Sequence, residues 1–244
     1  MINIPSLRHE TRYGLPTADH LLFNRQYIVG YSYLLRQPKW AMEVMDPDNV
    51  RVEIDQRLDS FRPDLRIPWQ FRVELKDYKG AGFDRGHLIA SADKRSDGIL
   101  NSETFLLTNM SPQLPAFNRG IWKQLEEEVR NLSKKDKIVE VYVICGPTFF
   151  INKPVQVIGV EGGEKDVTVP IPHGFFKCIL AEELRGSYAL YAFMFPNEKC
   201  EEPIAKYRVT TLTVEMWTGL LFWDRLTGGK IERMKSRIGK KLWF

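Results

Sequence analysis

Asp84, Arg85, Gly86 and His87 stand in succession just ahead of Leu88-Ile89-Ala90, with Gly80 and Gly82 upstream. A carboxylate, a guanidinium and an imidazole at one apolar-flanked turn supply an anion, a permanent cation and a base that titrates near neutrality. That set can move a proton beside a charged substrate. The other three histidines lack such company: His9 and His20 lie near the start of the chain and His173 in a Pro-flanked turn, so all three are read as structural or solvated. Asn109, Asn118, Trp122 and Glu126 follow His87.

The elements that must position these groups can be read from periodicity. Thr104 to Met110 is rich in β-branched and apolar residues and runs into Ser111-Pro112, which predicts a strand entering a turn. From Asn118 the period changes. Ile121, Leu125, Val129 and Leu132 recur at helical spacing, with Asn118 expected as the N-cap. Eight residues of ideal helix rise about 12 Å and rotate about 80° past whole turns, so Asn118 and Glu126 share a side only loosely. One Mg²⁺ could still feel both, binding Asn118 directly and Glu126 through water, because Mg²⁺ keeps several waters and takes few protein ligands. Zinc does not fit, since His and Cys at ligand spacing are too few.

Asp84-Arg85-Gly86-His87, Thr108-Asn109-Met110-Ser111-Pro112-Gln113 and Asn118 through Glu126 resemble the signature of the DNA/RNA non-specific endonucleases with a ββα-metal core, and most of all their endonuclease G branch. Tyr13-Gly14-Leu15-Pro16, Asp77-Tyr78 with Gly80-Ala81-Gly82-Phe83, and Thr218-Gly219-Leu220-Leu221-Phe222 resemble flanking blocks of that family. The resemblance covers about residues 10–226 and leaves the basic tail, 227–244, outside it.

The resemblance implies roles for matching positions only. His87 is the expected general base toward water, Asn118 the direct ligand of Mg²⁺ (with Mn²⁺ as a substitute), and Glu126 a ligand through water. Asn109 orders the site, and Arg85 offsets charge on the phosphate. Arg57 is the expected upstream arginine, with Arg62 and Arg66 close enough to leave that assignment open; Arg119 is a further nucleic-acid contact and Asp84 a structural support. The same resemblance implies DNA and RNA substrates, single- and double-stranded, products with 5′-phosphate and 3′-hydroxyl ends, a homodimer, and control by an inhibitor or activating partner. Such chemistry suits these residue types, because a cation and an arginine offset the charge that develops on a phosphodiester in a partly dry site. An imidazole base predicts activity rising as pH passes through about 6 to 7. Contacts to the backbone rather than to base edges predict steep weakening by salt.

Two other classes fit parts of the pattern. One is a catalytically silent nucleic-acid- or inhibitor-binding module on the same scaffold. The other is a Ser/His/Asp hydrolase using Ser91 or Ser111 with His87, although no G-x-S-x-G elbow is present.

Composition sets the frame. The 244 residues are 43% hydrophobic and 27% charged, within the range of ordinary globular chains, and are expected to form a single domain. No apolar run approaches the length that spans a bilayer, and the first residues show no secretory pattern, so the expected setting is intracellular, a bacterial cytoplasm or a mitochondrion. Cys145, Cys178 and Cys200 are odd in number and match no metal or redox spacing, which reads as small core residues in a reducing compartment. The net charge of +4 is mild, but Arg225 to Phe244 holds seven basic residues against one acid and reads as a frayed, solvated terminus. Asp46 to Pro68, rich in charge and Pro, reads as a long surface excursion.

Farther along, Ile138 to Cys145, Val155 to Val160, Val167 to Ile171, Phe175 to Ala181 and Tyr188 to Phe195 read as strands of an antiparallel sheet. Thr213 to Leu226 reads as a helix capped by Thr213, with Met216, Leu220 and Trp223 on one side. The fold class expected is α+β, a ββα-metal nuclease core on a mainly antiparallel sheet flanked by helices.

Overall fold

The computed structural model describes residues 8–45, 58–159, 168–239 and 241–244. Its frame is a seven-stranded sheet. Strands β1 (His20–Phe23), β2 (Tyr27–Ser32) and β3 (Gln37–Met45) form one half. The chain leaves the sheet after β3 and builds a smaller pair, β4 (Asp84–His87) with β5 (Met110–Gln113), before returning as β6 (Ile138–Thr148). A hairpin of β7 (Val157–Gly159) and β8 (Thr168–Pro170) precedes the long strands β9 (Gly174–Glu183) and β10 (Ser187–Pro196), and β11 (Arg208–Val209) closes the edge. The order is β1-β2-β3-β6-β9-β10-β11, with every pairing antiparallel.

Alternation along the strands gives the sheet two apolar faces. Val29, Ala41, Val143, Cys145, Phe175 and Ile179 share one cluster with Trp122, Leu125 and Val129 of the helix that follows β5. Ile28, Trp40, Ile144, Phe176 and Cys178 on the other face pack with Val214, Phe222 and Trp223 near the C-terminus. All three cysteines are free, and Cys145 and Cys178 are buried, as the composition predicts. No helix among the described residues is long and apolar enough to cross a membrane.

Several local expectations need correction. Thr104 closes the short helix α2 (Gly98–Glu103), which follows α1 (Leu75–Tyr78), and Leu107–Asn109 is a helical turn. The apolar residues there serve burial of Phe105 and Leu107 rather than a ladder. The strand begins at Met110 and runs through Ser111-Pro112, the expected turn. Pro112 lies opposite Arg85 in a sheet of two strands, where both are edges and its missing N–H is tolerated. The expected strands at 155–160 and 167–171 are shorter within the described residues and stand apart as the β7–β8 hairpin. Asp64 and Ile67 are buried, so the described part of the Asp46 to Pro68 segment is irregular but not wholly a surface excursion.

The helices near the C-terminus also differ. Helix α4, counted after the long helix α3 (Lys123–Ser133), spans Thr211–Thr218. Its cap is Thr210, whose Oγ1 accepts from the Thr213 N–H, and Gly219 ends it at φ +68°. Leu220 and Trp223 are buried beyond the helix, while Met216 is 77% exposed. The basic tail is docked rather than frayed. Helix α5 (Gly229–Lys235) ties Lys235 Nζ to Glu215 Oε1 at 2.9 Å, and Trp243 donates Nε1–H to the Glu128 carbonyl at 2.7 Å while its ring meets Tyr191. Apolar Ile231 and Trp243, set among the charges, anchor it.

Candidate active site

The β4–β5 pair and α3 meet at a cavity of about 670 Å³. Register places Asp84 opposite Gln113, Gly86 opposite Ser111 and His87 opposite Met110. Gly86 is required by this close pairing: a Cβ there would lie 2.1 Å from Gln113 Oε1, and Gln113 is fully buried. Alternation puts Arg85 and His87 on one face of β4 and Asp84 on the other, and all three line the cavity at the end of this short strand.

The approach to α3 is not the one expected. The helix starts with the turn Pro115–Phe117, Pro115 standing at its first position, and Asn118 already has helical φ and ψ, so Asn118 is not an N-cap. Asn118–Trp122 is instead a wide π turn, with Gly120 out of helical geometry at φ −100°, ψ −114°. A π bulge adds one residue to the helix without a matching advance, so eight residues act as about seven and return to within about 20° of the same side. Asn118 and Glu126 therefore both line the cavity.

Hydrogen bonds fix the polar groups. Asn118 donates Nδ2–H to Asp84 Oδ2 at 2.9 Å, which commits the amide nitrogen and leaves the oxygen as its remaining donor atom toward a cation. Arg119 grips the same carboxylate through Nε at 2.9 Å and Nη2 at 2.7 Å. Burial opposes ionisation of Asp84, but the bonds from Arg119 and Asn118 and the charges of Arg119 and Arg85 outweigh it and hold the carboxyl below its ordinary range. Arg85 stacks its guanidinium over Phe61, 4.0 Å from the ring centre. The His87 ring packs against Phe61 and Phe105, with centroids at 5.6 and 5.1 Å, and these two rings meet each other at 5.0 Å; the His87 backbone carbonyl accepts from Trp122 Nε1 at 3.3 Å.

Asn109 is fully buried and stands outside the cavity lining. Its side chain accepts from the Ile89 N–H at 3.0 Å and donates to the carbonyls of Ile89 and Thr104, both at 2.9 Å, so it pins the backbone just after His87. Arg57 lies outside the described residues. Of its neighbours, Arg62 is spent on the carbonyls of Ser60 and Ser102, and Arg66 on Asp64 and Asn24; neither lines the cavity. Ser111 is buried and donates to Gln37 Oε1 at 2.6 Å, which removes it as a nucleophile, while Ser91 does line the cavity.

Glu126 carries a carboxyl pushed up to about 7 by burial, an effect the nearby Lys177 opposes and Asp93 and Glu43 reinforce. Its Oε1 is 3.9 Å from Lys177 Nζ, which lies over the Trp122 ring at 4.3 Å. Two further pairs complete the network, the buried Lys94 with Glu43 at 2.8 Å and the half-buried Arg130 with Asp93 at 2.7 Å. Sequence reasoning missed this network, although one signal was available: Lys177 interrupts the core-facing series Phe175, Ile179, Ala181 at period two. Arg95, Lys123 and Arg130 were also missed; with Arg85 and Arg119 they bring five cations to the cavity against the three carboxylates Asp59, Asp84 and Glu126. His9, His20 and His173 are far from it in role. They bond Glu140 and Tyr142, Tyr33, and the Phe150 N–H with the Pro154 carbonyl, respectively.

Among the described residues no three His, Cys, Asp or Glu side chains converge as a metal cage. Among the groups that line the cavity, the Asn118 amide and the Glu126 carboxylate offer hard oxygens that fit a divalent ion retaining most of its waters.

Comparison with known proteins agrees with this geometry. The DNA/RNA non-specific endonuclease family matches residues 5–228. The mitochondrial endonuclease G of Caenorhabditis elegans is 32% identical, with 95% of this chain and 77% of the relative covered, and that of Homo sapiens is 33% identical, covering 86% and 72%. A mitochondrial nuclease of Saccharomyces cerevisiae is 34% identical, covering 93% and 73%. The crystal structure of the EndoG/EndoGI complex, solved for the mechanism of EndoG inhibition, superposes with a TM-score of 0.85 at 30% identity and covers 96% of each chain. With the β4–β5–α3 arrangement and this breadth of similarity together, the chain belongs to the DNA/RNA non-specific endonuclease family.

Proposed function

We propose that the protein is a Mg²⁺-dependent endonuclease that hydrolyses phosphodiester bonds in DNA and RNA without reading sequence. The observation that carries this reading is the single cavity shared by His87, Asn118 and Glu126 inside a ring of five cations. His87 accepts the proton of the attacking water; its ring is held against the adjoining rings of Phe61 and Phe105. Arg85 offsets charge on the phosphate oxygens, with its plane fixed by Phe61. Asn118 and Glu126 hold the divalent ion, the first directly and the second through water, and when bound the ion supplies Lewis-acid stabilisation of the phosphate. Asp84 keeps Asn118 and Arg119 in place, and Asn109 fixes the backbone that carries His87.

The same reading takes residues 1–244 as one domain acting as a homodimer, and includes control by a protein inhibitor. Similarity to EndoG, solved with EndoGI, supports the inhibitor, and the mitochondrial names of three relatives support the mitochondrion over a bacterial cytoplasm. The test is incubation with supercoiled plasmid and with single-stranded RNA, with Mg²⁺ or with excess chelator. Degradation of both polymers only with the ion is expected. Chelator-resistant cleavage would return attention to Ser91, because a Ser-based triad needs no metal.

A further inference from the structure

A second groove, of about 460 Å³, is bordered by Arg85 but not by His87. It shares Asp84 and Arg85 with the candidate active site and is otherwise lined by Leu75, Lys76, Tyr78, Lys79 and Phe83. Lys76 lies on α1 and Lys79 is the residue that closes it, its backbone N–H donating to the Lys76 carbonyl at 3.1 Å; both are exposed, and neither is in an ion pair among the described residues. Phe83 is half-buried, seated on the cluster of Val73, Tyr78 and Met110, which makes it a rigid apolar wall. Helix α1 itself is stiffened by a reciprocal cap between Glu74 and Asp77. The loop from α1 to β4 passes Gly80 and Gly82, both at positive φ, and a Cβ at either would meet nothing within 4 Å, so open space stands over the loop.

We propose that this groove is a binding subsite for the nucleotides flanking the scissile phosphate, with Lys76 and Lys79 taking the neighbouring backbone phosphates and Phe83 the face of a base or sugar. The inference rests on the endonuclease reading for the identity of the scissile position, but the groove's affinity for a single strand does not. Two features point to a nucleic-acid strand rather than a small anion. The groove adjoins the active-site cavity through Asp84 and Arg85, common to both, so a chain held at Arg85 runs into it. It also combines paired cations with an aromatic wall, the arrangement that holds single strands without sequence preference. A strand threaded this way is fixed on one side of the cleaved bond independently of the ion on the other, which places the phosphate before hydrolysis.

The test compares wild type with Lys76→Gln/Lys79→Gln, whose side chains are exposed, and with Phe83→Leu. A labelled 12-nucleotide single strand is titrated by fluorescence anisotropy in chelator over a range of salt, and kcat and KM are then measured with Mg²⁺ on that strand and on bis(4-nitrophenyl) phosphate, which has no flanking nucleotides. Expected for the double lysine variant is a KM for the strand raised about tenfold with kcat little changed, an unaltered rate on the small diester, and a salt slope reduced by about 1.4, the share of two single-strand phosphates. Phe83→Leu is expected to weaken strand binding by about tenfold with no change in the salt slope. An unchanged slope and KM in the lysine variant, or an equal loss on both substrates, would overturn the subsite. A wild type that binds the strand with the full slope but cuts nothing would sink the endonuclease reading while leaving the groove assignment standing.

Discussion

Asn118 gives its amide Nδ2–H to Asp84 Oδ2 at 2.9 Å, so a carboxylate at the start of β4 sets the side chain at the start of the wide turn into α3. The contact spans 34 residues of sequence and joins the strand that carries His87 to the helix that carries Glu126.

Asp84→Asn removes the charge that orients Asn118 and Arg119. The expected result is Mg²⁺ affinity lowered by about 10- to 100-fold, the usual effect of losing a partner behind a ligand, read directly by calorimetric titration of the ion. An affinity equal to that of wild type would mean that Asp84 does not serve Asn118.

Gly86→Ala forces a Cβ into the buried Gln113 side chain. Overpacking of this kind costs about 1 to 3 kcal/mol, and here it also separates β4 from β5. Denaturant unfolding should show the loss, and Gln113→Ala in the same chain should recover part of it.

Asp64 gives a pH signature outside the site. Its burial raises the carboxyl, but hydrogen bonds from Arg66 and Thr108 and the Arg66 charge outweigh that and lower it. A carboxyl lowered in the folded state adds stability that is present above its unfolded value, near 3.9, and is lost as pH falls through the folded value. Asp64→Asn should therefore cost on the order of 2 kcal/mol at pH 7, and the gap from wild type should narrow as pH falls through the lowered folded value. A constant gap across that range would contradict the assignment.

The legible part of the molecule was the part governed by local chemistry. The amphipathic series of α3 and the long strands β6, β9 and β10 follow from spacing and periodicity alone, and Asp84 to His87 stand out by residue type, although they form strand β4 and not the turn expected. What escaped depends on partners distant in sequence. Strand β2 (Tyr27–Ser32) is buried along its whole length and β3 along most of its length, so neither shows alternation. The π turn at Gly120 converts a spacing of eight that fits poorly into one that fits, and no propensity marks it. Lys177 is held in the core by Glu126 and the Trp122 ring, which lie 51 and 55 positions earlier.

The docked tail predicts a stability effect where a frayed end would show none. Trp243→Ala removes a ring against Tyr191 and a hydrogen bond to the Glu128 carbonyl on α3. A loss of about 2 kcal/mol is expected, or roughly 4 to 8 °C in Tm for a chain of this size. Calorimetry of the full chain beside the variant checks it.

The most direct test of the account as a whole is His87→Ala measured beside wild type on one plasmid preparation, with Mg²⁺ for cleavage and with chelator for DNA retention. The account predicts that cleavage falls by at least about 100-fold while retention of DNA is unchanged, because the substitution removes the base and leaves the ring of cations. Cleavage that survives in His87→Ala would contradict it.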